Sequence, residues 1–115
     1  MTLVQTTDAD IAALRIPIQE LVVVQPLSRG AFGEVFLGHY YGSRVAIKRL
    51  APDRRHDDYE RSGFLVEAKL MATLQHDRII QFIGVAWSDP TDVHVVTEFM
   101  DGGDLRTLLQ SSRCT

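Results

Sequence analysis

Hydrophobic positions along the chain fall into short blocks with two different periods. Leu21-Val22-Val23-Val24-Gln25 is β-branched and predicts a strand that Pro26 limits at its end. Glu34 to Tyr40 predicts a second strand and Arg44 to Leu50 a third, with turns at Ser28–Gly33 and Tyr41-Gly42-Ser43. Three strands joined by short turns make an antiparallel meander. Alternation along the third puts Val45 and Ile47 on one face and Ala46 and Lys48 on the other. Residues 51–61 are polar and contain Pro52, so they begin as a loop. From Phe64 the period becomes helical: Phe64, Glu67/Ala68, Met71 and Leu74/Gln75 share one stripe, and the helix is expected to end near His76-Asp77. Glu67 sits within that apolar stripe, which requires a reason. Ile79 to Trp87 predicts a fourth strand, Ser88 to Asp92 a turn, and Val93 to Met100 a fifth strand. Asp101-Gly102-Gly103 breaks it, and Asp104 suits the N-cap of a short helix carrying Leu105, Leu108 and Leu109. Upstream, Thr7-Asp8-Ala9-Asp10 resembles an N-cap region before Ile11 to Leu14, and Pro17 ends any helix there. The order β-β-β-α-β-β predicts an α+β fold: one five-stranded antiparallel sheet with a helix on one face.

Composition narrows the class. The 115 residues suffice for one small domain with a modest core. Hydrophobic residues at 45% and charged residues at 23% exclude disorder for the bulk of the chain. A net charge of −3 argues against a nucleic acid or an anionic membrane as main partner. The one cysteine, Cys114, permits no intramolecular disulfide and no cysteine-based zinc site. The four histidines are scattered without metal-ligand spacing, so no metal site is expected; His76 reads as structural. The longest aliphatic run, Leu21 to Val24, is far too short to span a membrane, and Met1 is followed by no signal core. The expectation is a cytoplasmic protein, with an N-terminal extension over 1–18, a domain over 19–110 and a tail over 111–115.

The turn Ser28-Arg29-Gly30-Ala31-Phe32-Gly33 holds the first candidate chemistry. Glycines permit close backbone approach, and converging N–H groups can meet an anion. Two glycines three apart also suit a plain hairpin. A dinucleotide fingerprint requires a helix after the glycines; Val35 to Tyr40 is strand-like and Ser28 holds the first glycine position, so that reading fails even though Asp53 falls 20 residues after Gly33. No Gly-Lys-Ser/Thr exists for a Walker loop. Arg29 to Phe36 also resembles the sheet motif of RNA-recognition modules, but Ala31 and Phe32 are reversed against it and the first helix is missing. An RNA-binding sheet stays as a minor alternative.

A third pattern covers much more of the chain. Leu27 to Val35, followed by Val45-Ala46-Ile47-Lys48, resembles the glycine-rich loop and lysine strand of protein kinases. Phe64-Leu65-Val66-Glu67 through Ile79-Ile80 resembles the family's helix C and the strand after it. Val95 to Leu105 resembles strand five, the hinge and the next helix. The resemblance runs from about Glu20 to Leu109. The hinge Thr97-Glu98-Phe99-Met100, the lead-in Ile16-Pro17-x-x-Glu20-Leu21 and Ile83-Gly84 are similar to the tyrosine-kinase-like group.

The resemblance implies ATP as the ligand of this lobe and gives residues their roles. Gly30 and Gly33 would let the loop, with Arg29 and Ala31, fold over the phosphates, and Phe32 would cover them. Ser28 departs from the family's first glycine, which bears on how tightly the loop closes. Lys48 would reach the α- and β-phosphates. Glu67 would pair with Lys48, since a carboxylate on an apolar stripe is costly alone; the competing reading is a partly exposed helix glutamate. Leu27, Val35 and Ala46 would sandwich adenine. Glu98 would offer its carbonyl and Met100 its N–H to the adenine edge, with Thr97 as gatekeeper. Asp104 would contact the ribose, or serve simply as an N-cap. Met71 and Phe82 match the family's regulatory hydrophobic stack and would be core under any fold.

The His-Arg-Asp loop, its asparagine and the Asp-Phe-Gly metal ligand do not occur in this sequence. The expectation is an incomplete kinase domain, from a truncated gene model, a splice product or a regulatory fragment. It would bind ATP weakly, at about millimolar level, and transfer no phosphate alone. A non-catalytic module that docks a protein partner through the exposed large-lobe-facing surface is the alternative.

Overall fold

The structure, a computed structural model, describes residues 3–30, 33–73 and 81–99. Five strands form one antiparallel sheet: β1 (Leu21–Arg29), β2 (Gly33–Tyr40), β3 (Ser43–Leu50), β4 (Phe82–Ala86) and β5 (His94–Glu98), in the spatial order β1-β2-β3-β5-β4. Two short helical segments precede it, α1 (Ala9–Ala13) and a 3-10 turn over Ile18–Glu20, and one main helix, α2 (Asp58–Thr73), follows β3. The α+β architecture expected from the periodicity is the one observed.

The β2–β3 hairpin turns on Tyr41 and Gly42, both at positive φ (49° and 82°). A two-residue loop of this kind matches the right-handed twist of the strands it joins. β1 does not end at Pro26, as the sequence suggested. It runs on to Arg29 with irregularities between Val23 and Gln25 and between Pro26 and Ser28. β1 is an edge strand, where a residue without an N–H costs no ladder bond, and the bulges absorb the misfit. Ser28, Arg29 and Gly33 therefore belong to strands, and the glycine turn is tighter than expected. Gly30 N–H donates to the Gly33 carbonyl at 2.9 Å and closes it.

The alternation predicted for β3 holds. Val45 and Ile47 pack with Phe36 and Val96 on one face, against Ile16, Leu21, Tyr40 and Ile83. Val35 and Ala46 face the other way, with Leu27 and Phe99 against them. Beside that second cluster α2 lays Phe64, Leu65 and Ala68 on Phe82, Val85 and Val95. Each such fully buried aliphatic side chain contributes about 1.5–3 kcal/mol by leaving water.

Helix α2 begins six residues before the predicted start at Phe64. Asp57 caps it, accepting from the N–H groups of Tyr59 and Glu60 at 2.9 and 3.0 Å, and Asp58 and Glu60 favour the positive end of the helix. Arg54 pairs with Glu60 and Arg55 with Asp92, fixing the loop before the helix. The buried face is Ser62, Phe64, Leu65 and Ala68. Glu67 is not on it: its side chain is 67% exposed, so the apolar-stripe argument for it is corrected. β4 and β5 are shorter than the predicted runs Ile79–Trp87 and Val93–Met100. The end of the helix at His76-Asp77, and the stub with Asp104, Leu105, Leu108 and Leu109, lie outside the described residues. Among the described residues no helix is long and apolar enough to cross a membrane.

Candidate functional site

The site begins with where β3 sends its side chains. Val35 pairs with Lys48, Ala46 with Thr97 and Lys48 with Val95 across the ladders. Directly paired residues share a face, so Val35, Ala46, Lys48 and Thr97 lie on one side of the sheet, the side that carries α2. Ala46 and Val35 are buried, with Leu27 and Phe99 beside them, and they form an apolar patch under β1 and β2. Lys48 stands two residues along the strand from Ala46, about 6.6 Å further. A flat apolar surface thus leads to a cation.

Lys48 Nζ lies 3.6 Å from Glu67 Oε2, with the lysine side chain 24% exposed, and 6.0 Å from the centre of the Phe64 ring. A pair this open to water contributes at most about 1 kcal/mol to stability. The Phe64 face supplies a second attraction for the ammonium. Around the pair lies an open groove of about 340 Å³ between the sheet and α2, whose lining includes Gly33, Lys48, Arg49, Gly63, Phe64 and Glu67. Gly63, one helical turn before Glu67, leaves that wall without a side chain. Arg49 borders the groove, while its guanidinium, held at 3.0 Å by Glu34, stacks 4.7 Å from the Phe36 ring centre on the opposite face of the sheet.

The structure thus gathers Leu27, Gly33, Val35, Ala46, Lys48, Glu67 and Thr97 on one face or its margin. Thr97 is buried at 6% exposure. Arg29 pairs with Glu34 at 3.5 Å across the hairpin, which occupies the side chain within the sheet. Ser28 sits opposite Val35. Glu98 is exposed, and its N–H donates to the Gln81 carbonyl at 2.9 Å. Ala31, Phe32, Met100 and Asp104 lie outside the described residues. The sequence reading missed Phe99 beside the apolar patch and Gly63 in the groove wall. Gly63 carried a signal in its i, i+4 spacing to Glu67; Phe99 carried none, because its place depends on β5 meeting β3.

The family model for protein tyrosine and serine/threonine kinases matches residues 21–115 of the chain, the stretch that holds this sheet and helix. The chain belongs to the protein kinase family. A probable serine/threonine-protein kinase of Dictyostelium discoideum is 40% identical to it over 81 residues, which is 69% of this chain and 13% of that protein. The chain therefore spans a small part of the length of that kinase. From Leu21 onward the described residues form part of the kinase small lobe, with α2 as its main helix. Residues 3–20 precede the matched stretch, yet they are packed onto this kinase lobe.

Proposed function

We propose that this kinase lobe binds ATP on the face of β2 and β3 that carries Lys48, and that in a complete domain it serves transfer of the γ-phosphoryl group to a protein hydroxyl. The observation that carries the reading is the Lys48–Glu67 pair at 3.6 Å beside the buried Val35–Ala46 patch. An adenine ring is apolar on its faces, and Leu27, Val35 and Ala46 offer a matching surface. The ammonium of Lys48 is a compact point charge suited to the α- and β-phosphates. Glu67 orients it by accepting from it, so the cation is held near the ligand instead of free in solvent. The hairpin around Gly30 and Gly33 covers the phosphates with Ser28, Arg29, Ala31 and Phe32. Glu98 and Met100 meet the adenine edge, Thr97 borders the rear, and Asp104 meets the ribose.

Among the described residues no three histidine, cysteine or acidic side chains converge as a metal site. The name of the Dictyostelium relative favours serine or threonine as the acceptor. The hinge and lead-in motifs favour the tyrosine-kinase-like group. The use of ATP suits a cytoplasmic protein, and the surface around the hinge suits a protein partner, the large lobe of a kinase domain.

Calorimetry with ATP and adenosine tests this. Lys48→Met should weaken ATP about five- to tenfold, the value of one charge-assisted hydrogen bond in a half-open site. Adenosine, which has no phosphates, should lose little. Equal losses for the two ligands would remove Lys48 from the phosphates.

A further inference from the structure

Residues 3–16 lie before the stretch that the kinase model matches, and they form a strap from β4 to α2. At one end Ile16 N–H donates to the Val85 carbonyl at 2.9 Å, and Val85 N–H donates to the Leu14 carbonyl at 3.0 Å, a parallel bridge alongside β4. Gly84 makes this approach possible: a β-carbon there would stand 2.9 Å from the Leu14 carbonyl oxygen and closer still to Ile16. Arg15 donates to the Trp87 carbonyl at 2.7 Å and stacks 4.0 Å from the indole ring centre. In the middle, Ile11 is fully buried in the same cluster as Phe64, Leu65 and Ala68. At the far end Val4 N–H donates to Ser62 Oγ at 2.8 Å. Lys69 Nζ lies 3.3 Å from Asp10 and 3.6 Å from Asp8.

Lys69 follows Glu67 by two positions, and residues two apart point to different sides of a helix. Helix α2 is therefore held from two sides, by the sheet through Glu67 and by the strap through Lys69. The Lys48–Glu67 pair is too exposed to fix the rotation of the helix by itself. Asp8 is well placed to hold its side: one carboxylate oxygen caps α1, accepting from Asp10 N–H at 2.8 Å, while the other faces Lys69.

We propose that the strap is a positioning element for the nucleotide site and Lys69 a positioning residue, which sets the rotation of α2 so that Glu67 meets Lys48. The functional consequence rests on the ATP-binding reading above; the mechanical part does not.

The sequence contains two lysines, Lys48 and Lys69. A short pulse of an amine-acylating reagent, read by peptide mass spectrometry, therefore reports Lys48 separately and without nucleotide. The experiment uses the full chain, with circular dichroism to select conditions in which each variant is folded. Glu67→Gln should raise the acylation rate of Lys48 about two- to fivefold, the worth of one partly exposed ion pair. Lys69→Met and Gly84→Ala, which touch neither partner, should raise it in the same direction. Lys69→Arg should keep the parent rate, because a guanidinium still meets both carboxylates. A parent rate in Lys69→Met and Gly84→Ala, with Glu67→Gln raised, would overturn the proposal and leave the strap as packing alone. No rise in Glu67→Gln would overturn the pair and this inference together, while ATP binding is judged separately by calorimetry.

Discussion

Single side chains in this lobe owe their positions to the strand pleat and to the water around them. Lys48 was legible in the sequence because alternation along β3 sends it with Ala46, away from Val45 and Ile47. Glu67 was legible as its partner for a reason that the structure replaces. It stands at the margin of the buried helix face, and exposure to water makes the pair adjustable. His94 was not legible. It is 9% exposed on β5, with its Nδ1 buried and unpartnered. Burial pushes its imidazole below the ordinary value of 6.5, against a partial upward pull from Asp92. The unfolded imidazole thus takes its proton at a higher pH than the folded one. Stability is therefore fully present above 6.5 and declines as the pH falls through that value toward the lowered folded one. The urea midpoint should drop between pH 7.5 and pH 5.5, and His94→Gln should flatten this dependence. An identical decline in the variant would assign it to other groups.

At the scale of elements, strands were read well and their ends poorly. The sheet ladder overrides local signals: β1 passes Pro26 because an edge position tolerates it, and β2 takes Gly33 because the hairpin closes at Gly30. The early start of α2 had a signal in Asp57-Asp58-Tyr59-Glu60, a capping residue followed by acids in the first turn, masked by the Ser62-Gly63 pair. Gly63 lies within the helix, and a β-carbon there would meet no atom within 4 Å. Gly63→Ala should therefore stabilise the lobe by about 0.5–1 kcal/mol through the helix backbone alone. In thermal unfolding this is a rise of about 4 °C in Tm. A fall in Tm would mean that the groove wall at Gly63 needs its open space more than the helix needs rigidity.

For the whole molecule, the β1–β2–β3 meander and a helix on one face followed from period and turn chemistry, whereas the placing of β5 between β3 and β4 and the strap did not. The short helix itself was legible, in the capping region around Asp8 and the apolar stretch Ile11 to Leu14 before Pro17, but its docking on α2 and the single parallel bridge leave no period to read. Gly84 was noted for its family resemblance, while its role in admitting the strap needs the third dimension. The molecule that results has one side of its sheet closed by its own core and the other divided between α2 and the Leu27–Val35–Ala46 surface, with Lys48 at the boundary. Backbone amide shifts of the full chain on titration with ATP test this arrangement most directly. The account predicts that the largest changes fall on Leu27 to Gly33, on Val35, on Ala46 and Lys48 and on Thr97 to Phe99. Changes concentrated instead on the Phe36–Val45–Ile47 face, or none at saturating ATP, would contradict it.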